Sequence, residues 1–218
     1  MLSEFGSMYN EEGLYVGFSS RLSSHVLLRS SMDLYRSITP RYGMTIPTHG
    51  METFSEVFCR FSSPASLRVR HSFHRRNEGT RDAADVLRST NAALHALRIS
   101  VEQQCSKSLS CSLRCDLVTR LSSFSIGPNV HSGGSALGMT IDWNAASWLR
   151  FITRATLFST DGFDNAIYLA ETPAPGLLRL TPLYNDGVRY SVSVGCTPNT
   201  TLRAWLRAER VDRKSTRL

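Results

Sequence analysis

The chain has 218 residues, of which 41% are apolar and 20% charged, and this suits a single folded domain of ordinary size over residues 1–218. No run of about 18 apolar residues occurs, which excludes a transmembrane helix, although the strands of membrane β-barrels carry a much weaker signal. The formal net charge of +7 fits a nucleic-acid or anionic-lipid partner, or equally the inner lining of a pore.

Apolar and polar residues alternate along successive segments of the chain, and this period of two is typical of β-strands. Leu109, Cys111 and Leu113 share one face, for example, while Ser110 and Ser112 share the other. We count about ten strands in five hairpins. In chain order the segments lie at 14–18, 26–33, 51–61, 67–74, 97–102, 109–120, 137–143, 148–157, 188–195 and 202–209.

The connections between these segments alternate between short and long. The tight joints lie at Ser20–Ser23, Ser62–Ser66, Cys105–Ser108, Asn144–Ser147 and Thr197–Thr200. The long polar connections lie at Thr39–Gly50, Arg76–Thr90, Ser122–Gly134 and Ser159–Gly187. Outer-membrane β-barrels have short periplasmic turns and longer outer loops, so this asymmetry predicts an antiparallel up-and-down barrel.

One segment, Arg81–Gln104, admits two interpretations. Its apolar residues, among them Val86, Leu87 and Leu94, also suit an amphipathic helix. Strict alternation returns at its end, around Leu97–Glu102. We therefore favour a loop to about Thr90 followed by a strand.

Charged residues of both signs recur on the polar face of these strands. In a barrel they would line the lumen, and the predicted lining residues are Arg29, Asp33, Glu56, Arg68, Arg98, Glu102, Arg114, Asp116, Arg150, Arg154, Arg189, Arg203 and Arg207. Ion pairs to Asp33, Glu56, Glu102, Asp116 and Glu209 would make a narrow, rigid barrel. A wider lumen with surplus arginine would favour anionic solutes or a nucleic-acid strand.

Alternation alone does not separate a membrane barrel from a soluble two-sheet sandwich, which would bury its apolar face and expose its charges. Several segments run to ten residues or more, which is the length that crosses a bilayer at a tilt. The amino terminus, Met1–Phe5, lacks the features of a signal peptide. Either the membrane interpretation is wrong, or the chain is a piece of a longer protein.

No catalytic chemistry emerges from the sequence. There is no Gly-x-Ser-x-Gly motif, and His71 and His74 would lie on opposite faces of a strand, which is poor geometry for a metal. The five cysteines lack zinc-ligand spacing and are interpreted as small apolar fillers on the sheet. We expect no enzymatic activity, no cofactor and no metal.

Several stretches together resemble a known family. They are Asn10–Gly17, Asp33–Arg36, Arg41–Gly43, Pro47–Gly50, Leu157–Tyr168 leading to Glu171, and Asp186–Tyr190. In this order they resemble the carboxy-terminal β-barrel region of large outer-membrane proteins that carry a competence-type helix-hairpin-helix segment. The resemblance implies a porin-like, non-enzymatic protein of the Gram-negative outer membrane, with outer-membrane lipid as its surroundings.

The chain also departs from that family's pattern. No helix-hairpin-helix is present, so a partnership with DNA would have to run through a missing domain. The family continues past the position of Arg213 with an acidic loop and a final strand, whereas this sequence ends in a basic tail at Leu218. We therefore expect an incomplete barrel, truncated at both ends. It would act as a channel or uptake component, or as a surface scaffold whose long loops bind a partner.

Overall fold

The computed structural model describes residues 11–39, 47–81, 87–124, 130–174, 177–199 and 202–214, and most of them lie in twelve β-strands. The strands are β1 (Glu11–Arg21), β2 (Val26–Ser37), β3 (His49–Arg60), β4 (Ala65–Arg81), β5 (Leu87–Gln104), β6 (Leu109–Phe124), β7 (Val130–Ala146), β8 (Leu149–Thr160), β9 (Ile167–Ala174), β10 (Leu177–Leu183), β11 (Asp186–Cys196) and β12 (Ala204–Lys214). The resemblance stretch Arg41–Gly43, joint residue Thr200 and Ser215–Leu218 of the tail lie outside these ranges. No helix in the described ranges is long and apolar enough to cross a membrane.

Ten of the strands form one sheet in the order β1-β2-β3-β4-β5-β6-β7-β8-β11-β12, while β9 and β10 form a separate two-stranded sheet. The ladders between β1 and β2, β7 and β8, β8 and β11, and β11 and β12 are all antiparallel. This order confirms the predicted up-and-down sheet of about ten strands. β1 and β12 are its edge strands in the described part of the chain.

The short connections overlap the five predicted joints, and backbone hydrogen bonds close several of them. The N–H of Cys105 donates to Leu109 O at 2.8 Å, and the N–H of Phe61 donates to Ala65 O at 3.0 Å. In the β11–β12 ladder Gly195 faces Trp205. A Cβ on Gly195 would lie 2.5 Å from the indole ring, so glycine is the residue that lets the ring lie over the backbone.

Two of the predicted long connections are too long. β4 continues to Arg81 and β5 begins at Leu87, so most of Arg76–Thr90 is strand. The helical alternative is therefore wrong for Leu87–Gln104, and its residues 82–86 lie outside the described ranges. Likewise β6 continues to Phe124 and β7 begins at Val130, within the predicted loop Ser122–Gly134. The strands continue here through segments rich in polar side chains. Such segments show no alternation of apolar and polar residues, so the sequence pattern does not predict that they pair.

The predicted loop Ser159–Gly187 is also structured. It holds a short 3₁₀ turn at Phe163–Asn165 and the hairpin of β9 and β10. Asn185 ends this excursion with φ of 61°, a left-handed conformation that asparagine tolerates, and β11 then begins. β8 and β11 flank the excursion and pair directly, with Phe158 opposite Gly187.

The described chain divides into two compact units, and each has inverted polarity, which means that charged side chains are buried while neighbouring apolar side chains are exposed. The first unit comprises Met1–Val57, Arg70–Leu97 and Thr119–Ser132. There Glu56 is 4% exposed, whereas the adjacent Val57 is 37% exposed. The second unit comprises Phe58–Val69, Arg98–Val118 and Gly133–Leu218, and in it Asp116 is 4% exposed beside Leu117 at 46%. A two-sheet sandwich with an apolar core would show the reverse, so the sandwich alternative for the fold is wrong.

Candidate functional site

The polar face of the first unit carries a buried carboxylate between two arginines. Glu56 on β3 accepts hydrogen bonds from Arg70 on β4, from Nε at 3.1 Å and from Nη2 at 2.7 Å. It also accepts one from Arg29 Nη1 on β2 at 3.5 Å. We call Arg29, Glu56 and Arg70 the Glu56 triad. It ties three neighbouring strands together through their side chains.

A second triad lies on the polar face of the second unit. Asp116 on β6 accepts from Arg98 Nε on β5 at 2.7 Å. It also accepts from Arg114, two residues away on its own strand, with Nε at 2.5 Å from Oδ2. Arg114 Nη2 donates in addition to the backbone oxygen of Tyr168 on β9, at 3.3 Å. The Asp116 triad, Arg98, Asp116 and Arg114, therefore also contacts the β9–β10 hairpin.

The densest group of charges surrounds Glu171 on β9. Arg189 on β11 forms a two-pronged pair with it, Nη1 lying 3.0 Å from Oε1 and Nη2 lying 2.6 Å from Oε2. Arg154 Nη1 on β8 donates to Oε1 at 3.1 Å, and Arg207 Nη2 on β12 donates to Oε2 at 2.6 Å. One buried carboxylate thus joins the hairpin to three strands of the large sheet. Arg189 itself is only 2% exposed.

Glu209 on β12 extends this group. It accepts from Arg189 Nε at 2.8 Å, from Arg207 Nη2 at 3.2 Å and from Arg179 Nη1 on β10 at 3.3 Å. We call the six residues Arg154, Glu171, Arg179, Arg189, Arg207 and Glu209 the Glu171 cluster. Hydrogen bonds to charged groups are about twice as strong as neutral ones, so the cluster fixes both strands of the hairpin.

The burial of apolar side chains supports the same docking. Ile167 and Leu169 on β9 and Leu183 on β10 are buried, as is Phe158 on β8. The hairpin also exposes Tyr168 on β9 and three leucines on β10, Leu177, Leu178 and Leu180. The hairpin therefore has one face anchored to the polar face of the second unit and one face left uncovered in the described chain.

The environment of Glu171 predicts how this docking depends on pH. Burial opposes ionisation, but hydrogen bonds from Arg189 and Arg207 outweigh it and lower the pKa of Glu171 from 4.5 to about 2. Because the pKa is depressed in the docked state, the stabilisation is complete above pH 4.5 and is lost as the pH falls toward 2. We expect amide exchange in the hairpin, corrected for intrinsic rates, to be slow at pH 7 and 5 and to rise below pH 4.5.

Glu171→Gln is the control for this pH dependence, because glutamine does not titrate in that range. The variant should show fast exchange in the hairpin at every pH and no step. A wild-type hairpin that stays protected at pH 2, or that opens above pH 4.5, contradicts the assignment of the step to Glu171.

The structure places the predicted lining residues in different surroundings. Eight of them fall in the groups just described: Arg29, Glu56, Arg98, Arg114, Asp116, Arg154, Arg189 and Arg207. Arg150 pairs with Asp142 on β7, and the Arg68 guanidinium lies 5.3 Å from the Phe58 ring. Glu56, Asp116 and Glu209 are ion-paired, as the sequence predicts.

The remaining predicted residues are not brought into these groups. Asp33 is half-buried, and its Oδ1 has no hydrogen-bond partner within the described ranges. Glu102 and Arg203 are exposed near the short connections. Sequence reasoning also missed Glu171 and Arg179 as members of a charge cluster, because both lie in a segment predicted to be loop. The available signal is the spacing of two between Ile167, Leu169 and Glu171, which would place Glu171 on the buried face of a strand.

The described ranges hold no group of three or more histidine, cysteine, aspartate or glutamate side chains placed to bind a metal ion. His71 and His95 have ring centroids 5.7 Å apart, and His95 also lies 4.6 Å from the Phe73 ring. The five cysteines are free thiols; four are half-buried and Cys105 is exposed in the β5–β6 turn.

Comparison with known proteins identifies the fold. No family model matches the chain, and no curated protein matches it. Among solved structures it is similar to the alcaligin outer membrane receptor FauA from Bordetella pertussis, with a TM-score of 0.65 and 12% identity, over 89% of this chain and 34% of the receptor. The translocator domain of the autotransporter NalP from Neisseria meningitidis gives a TM-score of 0.40 and 12% identity, over 93% of this chain and 74% of that domain. This chain, which spans about a third of the receptor's length, has the antiparallel up-and-down fold of outer-membrane β-barrels.

Proposed function

We propose that the chain is an integral outer-membrane β-barrel protein that serves as a channel or uptake component and has no catalytic activity. The observation that carries this proposal is the inverted polarity of the strands. Apolar side chains such as Leu113 on β6 and Leu157 on β8 are exposed, while Asp116 on β6 and Thr156 and Thr160 on β8 are buried. A lipid bilayer solvates such an apolar surface, and an enclosed interior holds the charges.

The sign of the interior charge points to the kind of solute. The Glu56 triad and the Asp116 triad each hold two arginines and one carboxylate. The Glu171 cluster holds four arginines and two carboxylates. Arginine is therefore in surplus in every group. A ring of basic side chains along a pore favours anions over cations.

Planar bilayers test the channel function. The chain, refolded in detergent and added to one side of the bilayer, should give stepwise current increases. In a salt gradient the reversal potential should show preference for the anion. Heat-denatured protein at the same concentration is the control. Protein that inserts, as shown by protection of its strands from protease, but passes no current would contradict the proposal.

A surface scaffold is the second candidate, and the uncovered face of the β9–β10 hairpin favours it. Leu177, Leu178 and Leu180 are each exposed by 60% or more on a connection of the long-loop side. Exposed leucines on a loop are typical of a surface that binds a partner. A silent, inserted barrel that retains this hairpin would favour the scaffold over the channel.

The resemblance to helix-hairpin-helix outer-membrane proteins supports a more specific proposal. In such a Gram-negative protein the barrel would take part in DNA uptake, and contact with DNA would run through a domain outside this sequence. A reading of the genomic DNA on both sides of the coding region tests this. An adjoining segment that encodes a helix-hairpin-helix supports the proposal, and intact neighbouring genes without one contradict it.

A further inference from the structure

The Glu171 cluster has more donors than its own carboxylates use. Four guanidinium groups face two carboxylates, which leaves a formal surplus of two positive charges. Every oxygen of Glu171 and Glu209 already accepts at least one hydrogen bond from an arginine. Partly buried positive charge is costly unless an anion or further acceptors compensate it.

Arg207 and Arg179 carry the surplus around one carboxylate oxygen. Both donate to Glu209 Oε2, from Nη2 at 3.2 Å and Nη1 at 3.3 Å respectively, so the two positive charges share one acceptor atom. Arg207 Nε is buried and has no hydrogen-bond partner within the described ranges. The Arg179 side chain is 55% exposed, which gives a solute access to the pair.

Arg154 adds a third donor on the other side of Glu171. It uses Nη1 for the carboxylate, and its side chain is 27% exposed. Planar guanidinium groups match carboxylate and phosphate oxygens with paired hydrogen bonds. Both the charge and the donor geometry therefore suit a small oxyanion.

We propose that Arg179 and Arg207, assisted by Arg154, form a binding site for a small phosphate- or carboxylate-bearing solute where the β9–β10 hairpin meets β12. If the chain is a channel, as proposed above, this site selects small oxyanions as its solutes, and this part of the inference rests on the proposed function. The anion bridges the hairpin and the large sheet, so its binding also strengthens the docking of the hairpin.

Inorganic phosphate is the probe for this site. The full chain in detergent micelles, in a low-salt buffer of a bulky sulfonate, should bind phosphate at a single site by isothermal titration calorimetry. Loss of one charge-assisted partner typically costs a factor of about ten or more in affinity. We therefore expect Arg179→Gln and Arg207→Gln each to weaken phosphate binding about tenfold or more.

Arg150→Gln is the matched control, since it removes the same charge from a neighbouring pair with Asp142 on β7. Arg179→Gln keeps the site testable if Arg207→Gln fails to fold, because the exposed Arg179 leaves the buried pair of Arg189 and Glu171 intact. The site is overturned if the wild type does not bind phosphate, or if the Arg179→Gln variant binds it as tightly as the wild type. It is also overturned if Arg150→Gln loses as much affinity for phosphate as Arg179→Gln. Phosphate binding by a chain that passes no current supports the site and overturns the channel function instead.

Discussion

Replacing Glu171 with alanine should release the β9–β10 hairpin while the ten-stranded sheet stays folded. The carboxylate accepts hydrogen bonds from Arg154, Arg189 and Arg207, on three different strands of that sheet. Without it, Arg189 keeps only its contact with Glu209 and remains a buried charge with too few partners. Removing one partner of a buried ion pair costs about 3 to 5 kcal/mol. The ladders on either side of β11 do not involve the hairpin and should persist.

Limited trypsin digestion of the refolded protein measures this release. Arg179 lies within β10 and is held by Glu209, so the docked hairpin should resist cleavage there. The Glu171→Ala variant should be cut after Arg179 at least tenfold faster, which mass spectrometry of the fragments reports. Asp142→Ala is the control, because the pair of Asp142 with Arg150 is more exposed and contributes about 1 kcal/mol or less. Equal cleavage rates in the wild type and the Glu171 variant would show that the cluster does not hold the hairpin.

Arginine in place of Leu113 should block insertion into lipid, whereas arginine in place of its neighbour Ser112 should not. Leu113 is 53% exposed on the apolar face of β6, and Ser112 lies on the opposite face with Arg114 and Asp116. Leu113 is four residues from the start of β6, about 13 Å along the strand at ~3.3 Å per residue, so it falls near the middle of an apolar band about 25 Å tall. Arginine on the lipid face at that depth costs about 2 to 4 kcal/mol.

Refolding into lipid vesicles with a urea titration measures the difference. The Leu113→Arg variant should show a lower midpoint and a small folded fraction, and Ser112→Arg should resemble the wild type. The two positions are adjacent, so both variants add the same charge at the same depth. A result with the opposite order, in which Ser112→Arg is the damaging change, would mean that the polar face is packed against protein and the apolar face is not in lipid.

Much of the sheet could be predicted from side-chain alternation alone. The segment Leu109–Leu117 alternates strictly, and it lies within β6. Alternation fails where a strand continues with polar residues on both faces, as in β4 beyond His74, because the backbone hydrogen bonds of a ladder form whether the side chains are apolar or polar. Alternation therefore predicts β4 and β5 to be shorter than they are. For the same reason it leaves a helix around Val86 as an alternative.

The candidate site was predicted only in part, for a related reason. Residues on the long strands, such as Arg189 and Arg207, were predicted to lie on the polar face from their period alone. Their carboxylate partner Glu171 lies on the eight-residue strand β9, near Pro173, in a segment that includes Gly162 and Gly176. Proline and glycine favour turns and loops, so local sequence gave little support to a strand there. The long-range ion pairs that dock the hairpin have no local signal.

The direct pairing of β8 with β11 makes the excursion between them dispensable for the rest of the sheet. Thr160 N–H donates to Asn185 O at 3.1 Å, so residues 161–185 leave and rejoin the ladder at one point. A short turn grafted between Thr160 and Asp186 would keep that junction closed. The ten-stranded sheet and the insert can therefore evolve separately. A related protein could carry a different insert, with a different ligand specificity, on the same sheet.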